Sequence, residues 1–154
     1  MKRFFIFMAV TLLAFAVTAC QTHDDGKPPL SVQKEFEKMF PDATDIRWES
    51  DGQSWEATFM AVKGSVKKEY KAWYNADGSW IRTETEVLIS SIPKAIIAYL
   101  MTDPDYASSS FVDEDVYYVQ TPSGDFYRFD LIRNGQRIVV DVNINGLVTF
   151  VKYD

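Results

Sequence analysis

Asn75-Ala76-Asp77-Gly78-Ser79-Trp80 (NADGSW, residues 75–80) separates two runs of alternating residues, KKEYKAWY at 67–74 and WIRTETEV at 80–87. An Asn-x-Asp-Gly sequence opens either a calcium loop or a hairpin bend. Counted from Asn75, a calcium loop finds a glutamate at its twelfth position, Glu86. The fifth and seventh positions, however, are Ser79 and Ile81 inside a strand pattern, and no helices flank the loop as calcium hands require. A second stretch, NING at 143–146, has the same outline with isoleucine between the asparagines and no carboxylate. A type I′ hairpin bend explains both stretches, so each is read as a turn between strands.

Working outward, six of the seven glycines fall into two triplets, Gly52, Gly64, Gly78 and Gly124, Gly135, Gly146. Each lies in a polar turn (SDGQ, VKGS, NADG; PSGD, RNGQ, NING), and three turns separate four strands. A helical stripe precedes each triplet. Val32, Phe36, Met39 and Phe40 recur at i, i+4, i+7 and i+8, with Ser31 as N-cap and Pro41 as stop; Ile92, Ile96, Tyr99 and Leu100 repeat that spacing, with Ser91 and Pro93 at the start and Pro104 beyond the end. The offset between copies is 60 in the helices and 72, 71 and 68 at the glycines, which places the insertion in the irregular TDPDYASSS. The expected fold is α+β: a tandem repeat of helix plus four-stranded antiparallel meander, with two helices packed on one face of an eight-stranded antiparallel sheet. Repeat one spans residues 31–87 and repeat two 88–154.

The chain has 154 residues and 15% aromatics, a single domain's length with a composition tilted toward strands. Its first residues read separately. Lys2 and Arg3 precede an uncharged stretch from Phe4 to Ala19, too short for the roughly 20 residues of a spanning helix, so residues 1–19 are read as a cleaved signal. Val17-Thr18-Ala19-Cys20 resembles the lipobox of bacterial lipoproteins, and Cys20 is the only cysteine. Acylation of Cys20 anchors the chain on a bilayer surface. Residues 20–30, CQTHDDGKPPL, form a polar tether. Gln21 after the cysteine points to the outer membrane, and Asp24-Asp25 resembles the acidic tag of exported surface lipoproteins. The chain is thus expected to be an exported outer-membrane lipoprotein, on the periplasmic side or the cell surface. Loss of Lys2 and Arg3 takes the formal charge from −6 to −8, which argues against nucleic acid.

Most catalytic mechanisms fail on inventory. The one histidine, His23, lies in the tether, and the one cysteine is the acylation site. Zinc clusters, P-loops and dinucleotide fingerprints are missing from the sequence, and no cofactor is expected. Glu84 and Glu86 share a strand face and have the makings of an acid/base pair, but alternating Thr-Glu-Thr-Glu is read as a solvated face. Asp103, Asp105, Asp113, Glu114 and Asp115 flank the long loop as candidate ligands for a hard cation, against the plainer reading of a charged loop.

Strand alternation assigns Ile46, Trp48, Trp55, Ala57, Phe59, Tyr70, Ala72, Tyr74, Ile81, Thr83 and Val87 to the core, with Tyr127, Phe129, Leu131, Ile138, Val140, Val142, Leu147, Val151 and Tyr153 from the second copy. The opposite face then carries Trp73, Trp80, Arg82, Phe126, Arg128 and Phe150 among acids and other cations. Large aromatics with arginine suit a protein-binding surface, and equally suit cross-strand pairs on a half-exposed sheet.

FEKMFPDATDIRWE, SWEATF, AWYNADGSWIRTETEV and SSIPKAI together resemble the PepSY-like family of Bacteroidetes exported proteins, described as β-lactamase-inhibitor-like. The likeness covers residues 31–154. It implies a tandem α+β layer whose open face meets partners. The function expected is therefore a non-enzymatic, monomeric, lipid-anchored module that binds a protein or peptide through Trp73, Trp80, Arg82, Phe126, Arg128 and Phe150. A glycan or small-molecule sensor, aided by calcium in the Asp-rich loop, is the alternative.

Overall fold

The computed structural model describes residues 26–153. Cys20, His23, Asp24 and Asp25 lie outside the described residues. Helix α1 (Leu30–Met39) leads into strands β1 (Thr44–Ser50), β2 (Ser54–Lys63), β3 (Val66–Asn75) and β4 (Trp80–Leu88). A 3-10 turn (Ile89–Ser91) and helix α2 (Lys94–Thr102) follow, then β5 (Ser110–Phe111), β6 (Asp115–Gln120), β7 (Phe126–Arg133), β8 (Gln136–Asn143) and β9 (Val148–Tyr153). All the pairings are antiparallel, and the sheet runs β1-β2-β3-β4-β6-β7-β8-β9. This is an open α+β sheet of nine strands, not eight. The added strand, β5, is formed by the end of the TDPDYASSS insertion and pairs with the far end of β7, past the point where β6 stops.

Both helices lie on the same side of the sheet, each over its own core cluster. Val32 and Phe36 of α1 join Ala57, Phe59, Ala72 and Tyr74; Ile96 and Leu100 of α2, with Ile92 just before it, join Val116, Phe129, Leu131, Ile138, Val140 and Val142. Burying a side chain of this size contributes about 1.5–3 kcal/mol, so the stripes hold the helices down. The start of α1 differs from expectation, whereas α2 begins at the expected Pro93. Pro29 is the N-cap of α1 and Pro93 that of α2, each accepting the first helical bond at its carbonyl and presetting φ near −52°. Ser31 is already inside α1, and its hydroxyl donates to the Ala76 carbonyl instead (3.0 Å).

That contact ties α1 to the NADG turn. Gly78 N–H donates to Asn75 O and Asn75 N–H to Ser79 O, both at 2.9 Å, and Gly78 has φ +95°. Ala76 and Asp77 keep negative φ, so the bend is a three-residue loop closed by a left-handed glycine, not the type I′ turn expected. NING closes in the same way, through Gly146 N–H to Asn143 O (3.0 Å) and Asn143 N–H to Leu147 O (3.0 Å), with φ +88° at Gly146. A Cβ on Gly78 would stand 2.8 Å from the Ser31 carbonyl, and one on Gly146 would stand 2.8 Å from the Tyr99 ring. The type I′ bend is found at Arg133–Gln136, where Asn134 and Gly135 both have positive φ.

Candidate functional site

The face opposite the helices is where the chain carries its polar chemistry. Register places Glu56, Trp73 and Arg82 side by side across β2, β3 and β4. One row along lie Lys71, Glu84, Val119 and Phe126, and beyond them Glu86, Tyr117, Arg128 and Asp141. Side chains of successive rows then lock together. The Arg82 guanidinium lies 3.7 Å over the Trp73 ring and donates from Nε to Glu84 Oε1 at 2.7 Å. Arg128 reaches across β6 toward the same Glu84 (3.7 Å) while gripping both Asp141 oxygens, Nε at 2.8 Å and Nη2 at 3.0 Å. Its guanidinium also stands 5.4 Å from the Phe126 ring. The Asp141 hydrogen bonds hold the Arg128 pKa above its ordinary value, against the opposing effect of burial.

This continuous row, Trp73–Arg82–Glu84–Arg128–Asp141, screens Val119, which is fully buried although it lies on the helix-free face. The Tyr117 hydroxyl donates to Glu86 (2.8 Å), a bond that pushes the phenol up to about 12. Tyr117 was not singled out in the sequence, although alternation within DVYYVQ places it on this face. Lys71 pairs with Glu56 at 3.6 Å, and Arg137 with Asp130.

Trp73, Arg82, Phe126 and Arg128 therefore stand where strand alternation placed them. Trp80 and Phe150 do not. Between Trp73 and Tyr74 the β3–β4 register shifts, so that Trp80 lies opposite Tyr74 and packs against the α1 cluster, donating its indole N–H to the buried Thr83 hydroxyl (3.0 Å). Ile81 is the extra residue that the bulge inserts. A second shift at Val139/Val140 places Phe150 opposite the buried Val140 and sets its ring 4.9 Å from Tyr153, on the helix side of β9. A bulge reverses the faces of everything beyond it, which is why unbroken alternation misplaced both residues. Leu147 likewise is 63% exposed, and its neighbour Val148 packs in the core. Ile46 is 43% exposed, beside an irregularity at Asp45, whose φ is +56°.

Both arginines are engaged within the chain, Arg82 through Nε with Glu84 and Arg128 through Nε and Nη2 with Asp141, so they shape the surface they stand on. Glu84 and Glu86 are held by different partners, guanidinium groups and a phenol. Around the long loop, Asp103 Oδ1 accepts from Asp105 N–H and Asp113 Oδ1 from Asp115 N–H, the bonds of ordinary turns. Among the described residues no three His, Cys, Asp or Glu side chains gather as a metal site. Asp77 likewise accepts from the Ser79 N–H and hydroxyl (2.8 and 2.7 Å).

No family profile and no curated protein matches the chain. Solved structures do match its fold. A BLIP-like protein of Bacteroides fragilis superposes with a TM-score of 0.65 at 23% identity, covering 83% of this chain and 86% of that one. A DUF2874 family protein of Bacteroides ovatus gives 0.65 at 21% identity, covering 83% and 87%. A Bacteroides eggerthii chain provisionally described as periplasmic gives 0.62 at 20% identity, covering 84% and 89%. No described helix is long and apolar enough to cross a membrane. The chain thus shares the open α+β fold of BLIP-like and DUF2874 proteins.

Proposed function

We propose that this chain is a non-enzymatic, lipid-anchored envelope protein that binds a protein or peptide, in the manner of an inhibitor, through the helix-free face of its sheet. The observation that carries the reading is the row Trp73–Arg82–Glu84–Arg128–Asp141 with Phe126 beside it, on a face that no described helix covers. A side chain left free until binding costs about 0.5–1.5 kcal/mol to immobilise. Here the stacked and forked arginines have given up that freedom beforehand, so a partner laid on Trp73 and Phe126 meets a surface already in shape. The BLIP-like name of a fold neighbour supports the same direction of search.

The remainder of the reading follows the sequence. Acylated Cys20 and the tether at residues 20–30 hold the domain to the outer membrane, and the PepSY-like resemblance describes its lineage. The domain itself is a doubled helix-plus-meander unit. In support, the hairpin turns at Gly78 and Gly146 close alike, and each abuts the helix over its own half.

The test is capture from the native envelope with the mature domain as bait, alongside Trp73→Ala, Phe126→Ala and a helix-side control, Tyr99→Ala. A partner retained by wild type and the control but lost from the two face variants is the expected result. Equal retention by all four removes the proposed surface.

A further inference from the structure

The sheet is not closed between β3 and β4. Strand β3 pairs with β2 down to Val66 opposite Lys63, but its pairing with β4 covers only Lys71 to Tyr74. Strand β4 turns instead to β6, which it follows from Thr83 to Leu88. Residues 66–70 of β3 and 85–88 of β4 therefore face one another across a wedge with no ladder between them. At the apex the Thr85 hydroxyl donates to the Glu69 carbonyl (2.9 Å), a side chain standing in for the absent ladder bond. A cavity of about 490 Å³ opens into the wedge on the helix-free side and one of about 220 Å³ on the helix side. Lys68, Thr85 and Val87 line both, so the two cavities share one wall.

Strand edges in the middle of a sheet are normally paired, and an unpaired pair of edges is a template for another chain. We propose that an extended segment of a partner protein enters this wedge as an added strand, with basic side chains toward the helix-free side and apolar or aromatic ones toward the helices. The inference rests on the binding role above and names the partner's chemistry. Successive residues of a strand point to opposite faces, so the two linings dictate an alternating sequence. On the helix-free side stand Glu86 and Asp115, neither of which joins an ion pair among the described residues. Glu69 beside them meets only the exposed Arg47, at 3.4 Å; of the two lysines lining this cavity, Lys71 is paired with Glu56, and Lys68 belongs by strand alternation to the helix side with Tyr70. On the helix side Val66, Tyr70, Val87 and Tyr118 supply the apolar lining, beside Lys63, Lys68, Thr85 and Gln120, with the Tyr118 hydroxyl turned to Asp125.

The probe is the peptide acetyl-Lys-Val-Lys-Phe-Lys-Val-Lys-amide, titrated into the folded domain by calorimetry and by backbone amide NMR. Its controls are a block-permuted peptide of the same composition and a version N-methylated at alternate residues. The alternating peptide is expected to bind, shifting amides at residues 66–70 and 85–88, while both controls bind about tenfold or more weakly. Glu86→Gln with Asp115→Asn should lower affinity about tenfold, with an unchanged melting curve certifying the fold. Equal binding of the permuted peptide, or shifts confined to residues outside the wedge, overturns the proposal, as does no binding. Because the assay needs no captured partner, a silent peptide with capture still abolished by Trp73→Ala sinks the wedge alone. Capture indifferent to Trp73→Ala and Phe126→Ala sinks the surface reading on which it rests.

Discussion

The two helices rest on the same side of one sheet, yet the contacts beneath them are filled in opposite ways. Under α1 the packing is ring on ring: Phe36 meets Phe59 edge-on at 4.9 Å, Trp48 at 5.1 Å and Phe40 at 5.4 Å. The sheet makes room for these rings with Ala57 and Ala72, which are paired across β2 and β3 and fully buried. Under α2 the layer is aliphatic, Ile96 and Leu100 against Leu131, Ile138, Val140 and Val142, with Phe129 among them. The first half concentrates its burial in one large knob over small residues, and the second spreads it over many branched side chains. Close packing permits both solutions, because what must match is filled volume.

The comparison predicts that the halves break differently. Phe36→Ala should cost about 4 kcal/mol and Leu100→Ala about 3 kcal/mol, each a cavity under a helix, measured by urea unfolding. A larger cost at Leu100 would show that the aromatic knob is not the centre of its half. The bulge beside that knob is tested next. Trp80→Ala should lose about 2–3 kcal/mol, because it empties part of the first cluster and strands the Thr83 hydroxyl, while Trp73→Ala should lose less than about 1 kcal/mol. Equal losses would restore Trp80 to the helix-free face.

The two turns sharpen the comparison further. Gly78→Ala should destabilise by about 1–2 kcal/mol, through both its left-handed φ and the clash with the Ser31 backbone. Gly146→Ala carries the same conformational strain, but the Tyr99 ring it meets is 40% exposed and can swing aside, so its cost should be the smaller. Calorimetric melting of both variants orders them. The smallest effect is acid sensitivity. The Ser79 hydroxyl, followed by its backbone N–H, holds the Asp77 carboxyl below its ordinary 3.8. Its contribution is complete above that value and is lost as pH falls through the lower, folded one. In the NING turn the neutral Asn143 amide oxygen accepts from Asn145 and Leu147 N–H, so that turn should not respond. Amide shifts of Ser79 and Leu147 followed from pH 6 to pH 2 should diverge.

Much of this layout is legible in the residues alone. The stripes through Val32 and Phe36, and through Ile96 and Leu100 with Ile92 just ahead of the helix, announce their helices because burial imposes a helical period, although Tyr99, which shares that spacing, is 40% exposed. The glycine turns are legible because left-handed φ is a local demand. The bulges are not: whether Trp80 lies opposite Tyr74 depends on how two strands slip past each other, and nothing within WIRTETEV records it. The same applies to the ion row. Arg128 and Asp141 are 13 residues apart and meet only through the β7–β8 register. The wedge arises where β3 stops pairing with β4, and its sequence, VKKEY, pairs with β2 throughout, so nothing local marks the lost ladder on its other edge.

The central claim is a division of labour, in which the helix side of the sheet holds the fold and the other side receives a partner. Hydroxyl-radical footprinting of the domain, free and with its captured partner, tests it side chain by side chain. The account predicts that labelling of Trp73, Phe126 and Tyr117 falls on binding, while Tyr99 and Met101 on α2 keep theirs. Protection of Tyr99 and Met101 with Trp73 and Phe126 still labelled would contradict it.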